Sequence, residues 1–229
     1  RSNVGFNPAH DESSGGLHPS LSRQFKGMKN TDPGVKPQKA LPVIVYREIY
    51  SKAKKSHAAP QDITIAWLHV LAFFFCMRSC KYSDVMGERK TKTICVRNIR
   101  FFSNNQTIPH HSPDIFSASS ISITFEWQKR DIRDDIITHQ RSNDSSGNKI
   151  MCPVRACAEL ISNLYQSEIP HHKIQNLQIN TVIFNGKLFT IPSTMILDRN
   201  RSAVCSLGEE RLGFSELEIR SSLRNLCVL

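Results

Sequence analysis

At 229 residues the chain is long enough for one substantial domain with a tail, or for two small domains. Its apolar share of 39% is low for a fully packed chain, so part of the sequence is expected to lie outside any core. A net charge of +10 and a pI of about 9.4 argue for a polyanionic partner, of which nucleic acid is the commonest large one, with a membrane surface or an acidic protein as alternatives.

In chain order, residues 1–40 read as a flexible linker or tail. Gly, Pro, Ser and Asn dominate it, as in Ser13-Ser14-Gly15-Gly16 and Asp32-Pro33-Gly34, and few apolar residues recur at any period. Leu21 to Met28 is the one short helical stretch. A domain over 41–229 is expected to begin at Leu41-Pro42, with proline at the first helical position. Val45, Ile49 and Ala53 then share one helical face. Asp62 is expected to N-cap a second, mostly apolar helix ending near Arg78-Ser79-Cys80. Its apolar run, Ile63 to Met77, contains His69 and is too short to span a bilayer, so it predicts a core helix.

Short β-prone runs follow at Thr93 to Val96 and Ile99 to Phe102. The clearest strand is Ile121 to Trp127, with Ile121, Ile123, Phe125 and Trp127 on one face and Ser122, Thr124 and Glu126 on the other. A polar turn, Gln128-Lys129-Arg130-Asp131, leads to a returning strand at Ile136 to Thr138. Past a Ser/Asn/Gly-rich loop, Cys152-Pro153 opens a helix with Val154, Cys157, Ile161 and Leu164 on one side. Asn185-Gly186 between two apolar runs predicts a tight hairpin. A helix from about Ser193 is expected to stop at Gly208. Ser215 and Glu218 form a capping box for a last helix. The pattern is α+β, mainly helical, with a small antiparallel sheet.

The seven cysteines have no regular spacing, and no basic start followed by an apolar run marks a secretory signal. Free thiols then fit a reducing, intracellular compartment. Cys76-x3-Cys80, Cys152-x4-Cys157 and the histidine pairs at 110–111 and 171–172 raise a zinc reading. Against it, Cys76 and Cys157 are expected on apolar helix faces, where cysteine acts as a small hydrophobe. No Gly-rich phosphate loop and no serine-hydrolase elbow occurs, and no cofactor or metal is expected.

Three cations stand out. Arg78 follows a nearly unbroken apolar stretch, where a guanidinium must be paired or face a cleft. Lys129 sits at the tip of the best-predicted hairpin beside Arg130. Arg224 lies one turn from Arg220 on the last predicted helix. Taken singly, each has an ordinary explanation: a snorkelling helix end, a solvated turn and a basic surface stripe.

Their order on this succession of elements resembles the catalytic domain of the tyrosine recombinases, the phage-integrase family, and most closely its divergent members in eukaryotic mobile elements. Four segments carry the likeness: Leu17 to Arg23 with Asp32-Pro33, Ala72 to Val85, Ile121 to Asp131 with Cys152 to Ala156, and Leu212 to Arg224. The resemblance implies DNA recombination and integration through a phosphotyrosine, on double-stranded DNA, by copies assembled on that DNA, in the nucleus. It assigns Arg78 and Arg224 to the scissile phosphate and Lys129 to the leaving 5′ oxygen, with Arg130 as the one-residue alternative. Arg130 and Arg220 are the expected further DNA contacts.

This sequence departs from the family at several places. Ser221 stands where the family has histidine, and Lys81 where an acidic residue is usual. The nucleophilic tyrosine belongs well downstream of Arg224, whereas Tyr46, Tyr50, Tyr82 and Tyr165 all precede it. The expectation is a truncated, degenerate copy that binds DNA and does not cut it. The rival expectations are a non-catalytic DNA-binding or regulatory protein, and a basic interaction module with zinc-linked cysteines.

Overall fold

A computed structural model of the chain describes residues 21–23, 42–55, 58–77, 79–84, 92–127, 133–142 and 150–212. By internal packing the chain divides into Arg1–Gln38 and Lys39–Leu229. In the first unit, residues 21–23 form a helical turn.

The second unit opens with α1 (Val43–Ala53). Pro42 is extended, with φ −63° and ψ 148°, so it caps the helix from outside and does not occupy its first turn as expected. Val45 and Ile49 lie on the buried face together with Tyr46 and Tyr50. Helix α2 (Pro60–Phe74) starts earlier than Asp62 because Pro60 is preset for a first helical position and has no N–H to satisfy. Asp62 is therefore in the first turn and is not the N-cap; its Oδ2 accepts the Ala59 N–H at 3.1 Å. From Thr64 to Leu71 every α2 residue is buried, which makes it the central helix.

Helix α2 also stops sooner than the apolar run suggests. Cys76 has φ +48°, and the Met77 N–H reaches back to the Ala72 carbonyl at 3.0 Å. A left-handed residue followed by a six-to-one bond is how a helix closes without glycine. Cys76 is thus exposed in the closing turn, off the apolar helix face expected for it. A short 3-10 turn, Ser79–Lys81, follows.

Four antiparallel strands come next: β1 (Ile99–Ser103), β2 (Gln106–Ile108), β3 (Ser120–Phe125) and β4 (Asp135–Gln140), in the order β2-β1-β3-β4. The expected strand over Thr93 to Val96 is absent. Cys95 makes a single bridge to Gln178, and Val96–Asn98 coils into a 3-10 turn. Ile121, Ile123 and Phe125 do share the core face, Ile121 and Ile123 paired with Phe101 and Ile99 of β1. Trp127 lies past the strand end. The β1–β2 hairpin was hidden in the sequence because its turn, Asn104-Asn105, has no glycine, yet both residues adopt positive φ.

Helix α3 (Pro153–Tyr165) buries Val154, Cys157, Ile161 and Leu164, and packs on α2 and on β4. A four-residue helix, α4 (His171–Ile174), leads to the β5 (Thr181–Phe184) and β6 (Lys187–Thr190) hairpin. Its turn residues, Asn185 and Gly186, have φ of 50° and 71°. Helix α5 (Ser193–Leu212) packs on α1 and breaks its helical path at Gly208, with φ 71° and ψ 163°. The fold is α+β with a small antiparallel sheet. Among the described residues, no helix is long and apolar enough to cross a membrane.

Candidate nucleic-acid interface

Arg78, Lys129, Arg130, Arg220, Ser221 and Arg224 all lie outside the described residues. The segments that lead into the first three are described, and they meet. The Lys81 ammonium, in the turn after α2, donates to the Trp127 carbonyl just past the end of β3. The lysine is buried, and its Nζ also stands 5.8 Å from the centre of the Phe125 ring. Burial pushes its pKa down, against a smaller raising influence from Cys80.

The same turn is anchored on two further sides. The Lys81 carbonyl accepts the Ile94 N–H at 2.9 Å. Asp84 bridges to Pro192: its N–H donates to the Ile191 carbonyl at 3.2 Å, and its own carbonyl accepts the Ser193 N–H at 2.8 Å. The Thr190 hydroxyl donates to the Asp84 carboxylate at 3.0 Å. Residues 79–84 therefore join three distant stretches: the end of α2, the base of the β3–β4 hairpin, and the start of α5.

Glu126 anchors the hairpin base from the other flank. Its Oε1 accepts Asn98 Nδ2 at 2.8 Å and Arg97 Nε at 3.1 Å, while Lys92 Nζ stands 3.5 Å from Oε2. The Asn98 hydrogen bond is the main reason its carboxyl titrates below the ordinary range, helped by the two cations and opposed by burial. Arg97 Nη1 also donates to Asn176 at 2.7 Å. Across the hairpin, the Arg133 guanidinium lies 4.3 Å from the Trp127 ring centre, a cation–π contact. Arg97 and Lys92 are solvent-exposed, so the hairpin base presents two cations at the surface around one shared carboxylate. No protein-family model, known protein or solved structure matches the chain.

Lys81, Asn98 and Glu126 escaped the sequence reading as site residues. Lys81 was visible as a lysine where the resemblance expects an acid; Asn98 and Glu126 carried no local signal, since their partners are far away in the chain. Among the described residues, no group of three histidine, cysteine or acidic side chains is arranged for a metal. Cys157 is fully buried, and burial pushes its thiol well up, the opposite of a reactive cysteine. A cleft of about 200 Å³ between α1, α2 and α5 is lined by Lys52, Asp62, Arg199 and Ser202. Arg199 pairs with Asp62 at 2.6 Å and Lys52 bonds Ser202, so these charges fasten helices together.

Proposed function

We propose that this chain binds double-stranded DNA through the surface around the β3–β4 hairpin, as a domain of the tyrosine-recombinase type that does not itself form a phosphotyrosine. The observation that carries the reading is the junction at residues 79–84. Arg78 precedes that junction by one residue, and Lys129 follows Trp127 by two. What supports the reading is that the described flanks of both residues, Ser79–Lys81 and Trp127, are joined by the Lys81 hydrogen bond. The order of helices, antiparallel sheet and helices supports the reading, as does the +10 charge. The same reading carries with it copies assembled on DNA and a nuclear setting.

Cleavage is a separate matter. The chain has four tyrosines. Tyr46, Tyr50 and Tyr82 are buried in the core. Tyr165 accepts a hydrogen bond from Gln175 Nε2 at 2.6 Å. Burial pushes the Tyr46 hydroxyl up to about 12 and also raises Tyr165. None is presented as a nucleophile, and geometry precedes pKa in such chemistry. Ser221 in place of histidine would remove a further transition-state donor, a loss of about 10²–10³ in rate for such groups.

A salt titration on duplex DNA tests the binding. Affinity is expected at low salt, with log K falling against log salt by about 0.9 for each phosphate neutralised. An absence of affinity at low salt rejects the proposal. A nicked suicide duplex run on a denaturing gel tests the second half, and no covalent band is expected. A band lost in Tyr82→Phe or Tyr165→Phe would show that the tyrosine concerned reaches DNA after all.

A further inference from the structure

We propose that Lys81 is a positioning residue of the β3–β4 hairpin: it fastens the arm that leaves β3, at Trp127, to the turn that follows α2. The β3–β4 ladder ends at the pair Phe125↔Asp135. Beyond it, two successive residues of the entering arm are gripped from opposite flanks. Glu126 is held through its side chain at the surface, by Asn98, Arg97 and Lys92. Trp127 is held through its main-chain carbonyl, by the buried Lys81 ammonium. A side-chain grip lets the backbone swing about the χ angles, whereas a main-chain grip fixes the path of the chain.

The residue type fits the task. Reaching a backbone carbonyl from a separate turn needs a long stem with a strong donor at its end. A buried ammonium is costly unless it is hydrogen-bonded, and here the Trp127 carbonyl supplies that bond. The ammonium also stands 5.8 Å from the centre of the Phe125 ring, beside the end of β3. This role depends on the DNA-binding reading only in so far as the tip touches DNA; the fastening itself does not.

The test uses the full chain and two readouts. Lys81→Met keeps an unbranched stem of similar volume and removes the donor. Amide exchange over residues 123–127 and 133–137 is expected to rise about tenfold or more, the loss of one charge-assisted hydrogen bond, while the amides of α2 keep their protection. Duplex affinity is expected to fall by a similar factor of about ten. In a Lys129→Ala/Arg130→Ala background the same substitution should cost no further affinity, because Lys81 acts through the tip. Lys81→Arg, which keeps a buried donor, should restore protection and affinity. Should Lys81→Met not fold, Lys81→Gln is too short to reach and carries the same expectations.

Unchanged exchange at the hairpin in a folded Lys81→Met protein would overturn the proposal. So would a full additive loss of affinity in the tip-less background, which would make Lys81 a direct phosphate contact. If the native chain shows no affinity for DNA, the functional reading fails while the exchange experiment still decides on Lys81.

Discussion

The Asp62 carboxylate serves two elements at once. One oxygen takes the Ala59 N–H and closes the start of α2, and the other pairs with Arg199 of α5 at 2.6 Å. Losing such a cap costs about 1 kcal/mol, and a partly exposed ion pair contributes about 0–1 kcal/mol. Asp62→Ala is therefore expected to lower unfolding stability by about 1–2 kcal/mol in urea, and Asp62→Asn, which still caps, by less than about 1 kcal/mol. Equal losses in the two variants would show that the charge and not the cap is what matters. Ile123 marks the other extreme, a fully buried side chain on the central strand whose energetics are purely apolar. Ile123→Ala should cost about 2–5 kcal/mol, the range for opening a cavity in a packed core.

Two turns make predictions of opposite sign. Cys76 closes α2 in a left-handed conformation, φ +48°, that its Cβ disfavours. Cys76→Gly removes that penalty and is expected to stabilise the protein by about 1 kcal/mol, read as a higher urea midpoint with unchanged slope. Gly186 in the β5–β6 turn has φ +71°, with open space where a Cβ would stand. Any loss on Gly186→Ala is thus conformational and not steric, about 1 kcal/mol. It should appear as faster amide exchange in β5 and β6, with α2 unaffected. A destabilised Cys76→Gly protein would mean that the thiol makes a contact worth more than the backbone strain.

For the whole molecule, two histidines contribute to the loss of stability at acid pH. His69, in the middle of α2, is buried beside Tyr46, with Nδ1 2.7 Å from the Ile65 carbonyl and Asn200 of α5 nearby. Burial pushes its pKa down, against weaker raising effects from Ile65 and Asn200. His110 has Nε2 2.8 Å from the Ile99 carbonyl and Nδ1 3.0 Å from Gln175 Nε2, with His111 close by. Burial lowers it too, His111 adding to the effect and the Ile99 hydrogen bond opposing it. In both cases the unfolded chain takes up the proton first. Stability is therefore lost as pH falls below the unfolded histidine value of about 6.5, and the loss levels off once the folded-state pKa is passed. One group contributes a slope of at most about 1.4 kcal/mol per pH unit. Urea unfolding at stepped pH should show this decline, and a His69→Leu/His110→Gln protein should show a flatter one. An unchanged slope in that variant would place the acid sensitivity elsewhere.

What the sequence determined by itself was local. The faces of α1 and α3, the core side of β3, the Asn185-Gly186 turn and the break at Gly208 all follow from side-chain period and turn chemistry, which act over a few residues. The basic charge was legible from composition, and most of the helices and the β3–β4 pair from the same local signals, whereas the β1–β2 hairpin was not. The tertiary structure decided what depends on neighbours far away in sequence. It ended α2 at Phe74 although the apolar run continues, because a reversal at Cys76 returns the chain to the sheet. It buried Lys81, a residue that any local reading leaves in water, where a carbonyl 46 residues away accepts its hydrogen bond. Burial and long-range hydrogen bonding are properties of packed surfaces, and no window along the chain contains both partners.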